Sequence, residues 1–166
     1  MKKLLLGLLL ISSVLSFGAT QRVDIEKLVT NESRDTLYLE ETKKPYSGEV
    51  ERKYPDGKLL GIATVKDGKF NGKSYEYYEN GKLKIEENYV NGKSEGVSKV
   101  FYPNGKVKYE TPYKNDKKEG VEKFYSENGI LMSEIPFKND VVIGIAKVYN
   151  AQTGKLEYEE NLVNGK

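Results

Sequence analysis

The chain has 166 residues, with 27 Lys and Arg against 25 Asp and Glu, 13 Tyr and 5 Phe, and neither His nor Cys. The lack of His and Cys excludes the usual nucleophile–base catalytic sites and transition-metal centres. The nearly balanced charge disfavours nucleic acid as a partner, and the aromatic content disfavours intrinsic disorder.

The first 18 residues predict a secretory signal peptide. A basic start at Lys2 and Lys3 precedes an apolar run from Leu4 to Val14, and small residues follow at Ser16 and Gly18. The run is shorter than the roughly 20 apolar residues that span a bilayer, so a membrane anchor is the weaker interpretation. We therefore expect an exported protein that is periplasmic, outer-membrane-associated or secreted. Cleavage would remove both leader charges and leave a net charge close to zero.

Residues 19–45 are expected to form an N-terminal cap, because a repeat array must cover the apolar edge of its first unit. Leu37–Leu39 predicts one strand, which precedes Pro45 and Tyr46. The pattern between Val23 and Ser33 does not assign that segment to a helix or a strand.

Residues 46–166 contain an internal repeat of 24 residues, and three series of turn residues define it. The first series is Gly48, Gly72, Gly96, Gly120 and Gly144, and the second is Gly57, Gly81, Gly105 and Gly129. The third consists of Asp67-Gly68, Asn91-Gly92, Asn115-Asp116, Asn139-Asp140 and Asn164-Gly165. In the fifth unit Gly154 comes one residue late, which indicates an insertion at 150–153. The sequence therefore predicts five repeats.

Each unit divides into two short runs separated by turn signals, for example Gly72–Tyr78 and Leu83–Tyr89. Asn-Gly and Asp-Gly between aromatic or β-branched runs are typical of hairpins. Alternation in the second run predicts two faces. The predicted groups are Leu83, Ile85 and Tyr89 against Lys84, Glu86 and Asn88, and Val107, Tyr109 and Tyr113 against Lys108, Glu110 and Pro112.

These signals predict an all-β fold: an elongated single-layer antiparallel meander of about ten strands, made of five hairpin repeats. Pro112 and Pro136 recur at one position of the repeat, where we expect strand pairing to loosen because proline cannot donate to the ladder. The edge of the last hairpin is a candidate for edge-to-edge self-association.

The segment 72–93, GKSYEYYENGKLKIEENYVNGK, resembles the bacterial variant of the MORN repeat, and residues 46–166 match that pattern in five copies. Proteins of this group are often labelled antitoxin-like, and eukaryotic MORN proteins are associated with membranes and protein scaffolding. The resemblance therefore implies an interaction module. The predicted export signal departs from the picture of a cytosolic antitoxin, and the lack of Trp departs from the family pattern.

No cofactor or metal site is predicted. The column of Glu86, Glu110, Glu134 and Glu159 is interpreted as a solvated sheet face paired with lysines. The segment 68–74, GKFNGKS, is one residue short of a phosphate-binding loop, and no helix follows it.

The remaining candidate site is aromatic. Tyr77, Phe101, Tyr125 and Tyr149 recur every 24 residues and are predicted to form a ladder that binds a protein partner, such as an envelope protein or a host surface molecule. One alternative is an immunity protein that neutralises a cognate toxin. The other is peripheral binding to lipid head groups, which the near-zero charge disfavours.

Overall fold

A computed structural model describes residues 22–33 and 35–162 of the chain. The predicted signal peptide, residues 1–18, lies outside the described residues. Within these ranges the protein is almost entirely β-structure, and its one helical element is a short 3-10 turn, η1 (Ile25–Lys27). None of the described residues form a helix that is long and apolar enough to cross a membrane.

Three short strands precede the repeats: β1 (Arg22–Asp24), β2 (Leu28–Thr30) and β3 (Leu37–Leu39). β3 confirms the strand predicted there, whereas β1, η1 and β2 occupy the segment that the sequence pattern left unassigned. β1 pairs in parallel with the first strand of the repeats, and β2 and β3 form a separate antiparallel pair.

Five hairpins follow in chain order and form one continuous open sheet. The strands are β4 (Gly48–Lys53), β5 (Leu59–Lys66), β6 (Lys69–Tyr77), β7 (Leu83–Val90), β8 (Lys93–Ser94), β9 (Gly96–Phe101), β10 (Val107–Lys114), β11 (Lys117–Lys118), β12 (Gly120–Tyr125), β13 (Leu131–Lys138), β14 (Val141–Val142), β15 (Ile145–Tyr149) and β16 (Leu156–Asn161). The predicted all-β meander is confirmed. The sheet has fourteen strands rather than about ten, because β1 and the short strands β8, β11 and β14 join it.

Turns separate the strands where the sequence predicts them. Within a hairpin, a glycine N–H donates to the carbonyl three residues earlier, as from Gly81 to Tyr78 at 2.8 Å. In the last hairpin this bond spans four residues, from Gly154 to Asn150 at 2.8 Å, which confirms the inserted residue. Between hairpins, Asn91 has a φ of +51°, in the left-handed region that Asn, Asp and Gly tolerate.

A β-bulge near the start of the second strand changes which side chains share a face, and it occurs in all five hairpins. In β7, Leu83 pairs with Tyr77 and Ile85 pairs with Glu76, so Lys84 is the extra residue. Directly paired residues lie on the same face of a sheet. The bulge therefore puts Leu83 and Ile85 on opposite faces.

The predicted grouping of side chains in the second strand is wrong at its first residue. Leu83 lies on the face of Glu86 rather than that of Ile85, and Val107 is displaced in the same way in β10. A bulge adds one residue to one strand only, and it reverses the alternation from that point.

The two prolines lie beside a gap in the ladder that belongs to the repeat itself. Pro112 pairs with Val97 of the preceding strand, and Pro136 repeats this arrangement one unit later. On the side that faces the following strand, Pro112 of β10 has no paired residue. Asn88, at the equivalent position of β7, has none on that side either. The predicted loosening is therefore confirmed on one side of the strand, and proline is tolerated there because no ladder donor is required.

Tyrosine hydroxyls join consecutive repeats beside the turns within the hairpins. They belong to residues that directly follow the first strand of a hairpin, and each donates to a backbone carbonyl 23 residues ahead: Tyr54 to Tyr77, Tyr78 to Phe101, and Tyr102 to Tyr125. Ser126 occupies the equivalent position in the fourth repeat, where its hydroxyl accepts a hydrogen bond from the Ile130 N–H at 3.1 Å. Among the described residues, the junction of the fourth and fifth repeats therefore lacks this tie.

Buried apolar side chains concentrate where the N-terminal elements cover the first hairpin. This cluster contains Leu28, Tyr46, Val50, Ala63 and Val65, with Val23, Leu37, Leu39 and Phe70 packed against it. Elsewhere in the described ranges, Ala146 is the only buried apolar residue. Beyond the second hairpin the sheet is therefore a single layer.

Candidate binding face

The two faces of the sheet carry different side chains. We define face A as the face that holds Tyr77, Glu110 and Val121, and face B as the face that holds Ala63 and Tyr109. The N-terminal core cluster lies on face B. Within residues 22–33 and 35–162, no layer covers face A.

The four predicted site residues form one row across face A, each directly paired with an aliphatic side chain of the next strand. The pairs are Tyr77 with Leu83, Phe101 with Val107, Tyr125 with Leu131, and Tyr149 with Leu156. We call these eight residues the aromatic row. Seven of them are half-buried, and Leu156 is exposed. The row is therefore partly packed against itself and partly open to solvent.

A row of alternating charges runs beside the aromatic row on face A. Lysine and glutamate side chains pair across neighbouring strands, Lys99 with Glu110 at 3.1 Å, Lys123 with Glu134 at 3.8 Å and Lys147 with Glu159 at 3.7 Å. In the second hairpin Glu86 pairs with Lys73 at 2.6 Å. The interpretation of the glutamate column as a lysine-paired sheet face is confirmed, and these pairs leave the row electrically neutral.

Two tyrosines of the aromatic row contact the charged row directly. The Tyr125 hydroxyl donates to a Glu110 carboxylate oxygen at 3.0 Å, and the Tyr149 hydroxyl donates to Glu134 at 2.7 Å. Burial raises the pKa of Tyr125, and its hydrogen bond to Glu110 raises it further. Burial also acts to raise the pKa of Glu110, but hydrogen bonds from Lys99 and Tyr125 outweigh it, so this pKa lies below its ordinary value. The C-terminal part of the row is therefore held by hydroxyl–carboxylate bonds.

The other two predicted residues lack such a bond. Phe101 has no hydroxyl, and the residue equivalent to Glu110 in the first hairpin is Ile62, so Tyr77 has no carboxylate to contact at that position. The backbone carbonyls of Tyr77 and Phe101 accept tyrosine hydroxyls that join the repeats, as does the carbonyl of Tyr125. The structure brings the four side chains into one row but gives them two different environments.

A second apolar row on face A was missed by the sequence reasoning. Val97 and Val121 pair directly with the two prolines, and Ile145 continues the row one unit later. We call Val97, Pro112, Val121, Pro136 and Ile145 the valine row. Val97, Val121 and Ile145 are 47%, 43% and 48% exposed. Their spacing of 24 residues was a visible signal, but only the strand register shows that they lie on the face of Tyr77.

From the third hairpin to the fifth, face A therefore presents three parallel rows, with a neutral ladder of charges between two apolar rows. Across the described part of the chain, no three acidic side chains converge in a way that could hold a metal ion. The glutamates of the ladder are each held by a lysine, which is the arrangement of a structural surface rather than of an acid–base pair. This geometry suits contact with another surface.

The sequence matches the MORN repeat variant over residues 46–67, 70–91, 94–115 and 118–139, which together span just over half of the chain. The fifth hairpin, β15 and β16, lies outside these segments but continues the same sheet. Comparison with curated proteins found no match. MORN repeats are generally non-catalytic modules of protein or membrane interaction. The chain belongs to the MORN repeat variant family.

Proposed function

We propose that this chain is an exported scaffold or interaction protein that binds a protein partner through face A. The observation that carries the proposal is the arrangement of two apolar rows around a neutral charged ladder, repeated from the third hairpin to the fifth on an uncovered face. Repeat arrays commonly bind along such an extended surface.

The chemistry of face A favours a protein partner over a nucleic acid or a membrane. Each lysine of the charged row has a glutamate partner, so the face offers no positive field to attract phosphates. Half-exposed tyrosines add large apolar contact area with a polar tip, which is the kind of side chain enriched in protein interfaces. The polar ladder between the rows would supply hydrogen bonds that orient the partner.

Export is the second part of the proposal, and residues 1–18 support it. The partner would then be an envelope protein or a host surface molecule. Cell fractionation, followed by determination of the N-terminal residue of the recovered protein, tests this part separately. A full-length chain recovered from the cytosol would contradict export without bearing on face A.

Affinity capture from envelope and culture fractions tests the binding face. The test variant changes Tyr77, Phe101, Tyr125 and Tyr149 to Ala, with folding checked by circular dichroism. A matched pair in the last hairpin sharpens the test, since Tyr149→Ala alters face A and Tyr158→Ala alters face B. We expect partner loss with the fourfold variant, weaker capture with Tyr149→Ala, and normal capture with Tyr158→Ala.

Retention of the partner by the folded fourfold variant would exclude the aromatic row as the site. Equal loss in Tyr149→Ala and Tyr158→Ala would show that face A is not the distinguishing surface. If the unmodified protein captures nothing specific from any fraction, the protein-binding proposal fails.

A further inference from the structure

A pocket opens on face B, at the place where the N-terminal elements end over the sheet. Its volume is about 190 Å³. An apolar cavity of about 150 Å³ can hold a benzene ring, so the space is sufficient for one six-membered ring. It lies between η1 and the second hairpin, on the opposite face of the sheet from the aromatic row.

The pocket exists because small residues occupy the sheet at this point. Gly61 of β5 lies between Arg52 of β4 and Glu76 of β6, and Ala63 lies in the neighbouring cross-strand row. The position equivalent to Gly61 is filled by Ile85 in the next repeat and by Tyr109 in the one after it. The first repeat therefore leaves a space that those two repeats fill with a large side chain.

The walls of the pocket are apolar and come from three parts of the fold. Ile25 of η1, Phe70 of β6 and Ile85 of β7 line it together with Val50 of β4. Val50 belongs to the buried core cluster and Phe70 packs against that cluster, so both are held in place by the N-terminal elements. A ring in the pocket would contact aliphatic and aromatic carbon on several sides.

The charged side chains that line the pocket differ in whether they already have a partner within the protein. Glu51 is paired with Lys53 at 2.7 Å, Glu76 is paired with Lys84 at 2.6 Å, and Glu87 accepts the Tyr89 hydroxyl at 2.9 Å. Arg52 makes no ion pair or side-chain hydrogen bond with any described residue, although it lines the pocket and is exposed. Arg52 is therefore the positive charge at the rim of the pocket that is available to bind a ligand.

The remaining acidic group lies at the far end of the pocket. Arg52 is on β4 and Glu87 is on β7, three strand spacings apart, which is about 14 Å between backbones. Ser74 of β6 is directly paired with Glu87 and lies toward that end of the pocket. An anion held near Arg52 would therefore lie away from Glu87.

We propose that this pocket binds a small aromatic carboxylate. The ring lies over Gly61 and Ala63 between the apolar walls, and the carboxylate points toward Arg52. Phenylacetate is a suitable probe, since it combines one ring with a carboxylate on a short arm. Phenylacetamide has nearly the same shape without the charge. This site is separate from the proposed protein-binding face and does not depend on it.

The test is a titration of the purified, isotope-labelled protein followed by amide chemical shifts in NMR spectra. Phenylacetate is expected to produce saturable shifts at Gly61, Ala63 and Ser74, with weak affinity as suits a ligand of this size. Phenylacetamide is expected to bind about two- to fivefold more weakly, which is the effect of one exposed ion pair. Shifts that do not saturate, or that lie elsewhere on the sheet, overturn the proposal.

Two pairs of variants test the space in the pocket and the charge of Arg52 separately. Ser74→Leu should fill the pocket and abolish the shifts, whereas Ser98→Leu, at the equivalent position of the next repeat, should leave binding unchanged. Arg52→Gln should remove the preference for carboxylate over amide, and Lys66→Gln, which changes the net charge equally, should not. Continued binding by a folded Ser74→Leu protein, or an unchanged preference in Arg52→Gln, would overturn the assignment.

Discussion

The hydroxyl of Tyr102 donates a hydrogen bond of 2.8 Å to the backbone carbonyl of Tyr125, and this bond connects the third repeat to the fourth. The donor side chain and the acceptor residue belong to successive units of the same 24-residue period. The tie is therefore generated by the repeat itself: a tyrosine that follows the first strand meets the carbonyl that ends the first strand of the next hairpin. A sheet with few buried residues depends on such bonds between its units.

Removing this bond should destabilise the protein measurably. We expect Tyr102→Phe to lower the free energy of unfolding by about 1 kcal/mol, the usual contribution of one intramolecular hydrogen bond. Urea unfolding followed by circular dichroism measures the change. Tyr158→Phe is the matched control, because Tyr158 is 53% exposed and its hydroxyl has no hydrogen-bond partner among the described residues. Equal stability of the two variants would show that the tie contributes nothing.

The last hairpin should open more readily than the second. Its junction with the fourth repeat lacks the tyrosine tie in the described structure, and every residue of β16 is exposed. Local opening is easiest where few groups are buried. Native-state hydrogen exchange should therefore show lower protection for the amides of β16 than for those of β7. Similar protection in both strands would mean that the ladder alone determines stability along the sheet.

The N-terminal elements should depend on one glycine turn. Gly68 has a φ of +78°, and a Cβ placed on it would lie 2.3 Å from the Thr36 methyl carbon and 2.9 Å from the Leu37 carbonyl oxygen. Gly81 has nearly the same φ, +79°, with no atom within 4 Å of such a Cβ. Both Ala variants incur backbone strain of about 1–2 kcal/mol.

We expect Gly68→Ala to lose more stability than Gly81→Ala, because the clash also displaces the backbone around Leu37. Urea midpoints of the two variants compare the effects directly. If the two losses are equal, the contact between this turn and the N-terminal elements is not important for stability.

Stability should decline at alkaline pH, partly through Tyr89. Burial raises the pKa of Tyr89 to about 12 from its ordinary value of 10.0, and the hydrogen bond to Glu87 adds to the increase. Because the folded pKa lies above the unfolded value, this contribution is fully present below pH 10 and is lost as the pH rises toward 12. Tyr89→Phe should therefore show a shallower decline in melting temperature over that window. An unchanged decline would show that Tyr89 ionises equally easily in both states.

The valine row allows binding to be separated from stability. Val121→Ser should change the free energy of unfolding by less than about 1 kcal/mol, since the side chain is 43% exposed. It should weaken capture of the partner proposed for face A. Tyr158→Ser, at 53% exposure on face B, is the matched control. Unimpaired capture by Val121→Ser would remove the valine row from the binding surface.

The sequence by itself determined the hairpin repeat and its turns. These depend on local chemistry, since Gly and Asn tolerate the positive φ that Gly81 and Asn91 adopt in their turns. The inserted residue before Gly154 could be inferred from the sequence for the same reason, because the turn glycine comes one residue late. Equal spacing also predicted that Tyr77, Phe101, Tyr125 and Tyr149 would lie in one row, because identical units stacked side by side put equivalent residues in line.

Only the tertiary structure decided which other side chains lie on face A with this row. The bulge at Lys84 puts Leu83 on the face of Glu86, and this depends on how two strands pair rather than on the composition of either one. The parallel pairing of β1 and the pocket over Gly61 likewise depend on segments far apart in the chain. Local residue preferences specify turns and strands, whereas register and packing arise from contacts that form only when distant segments meet.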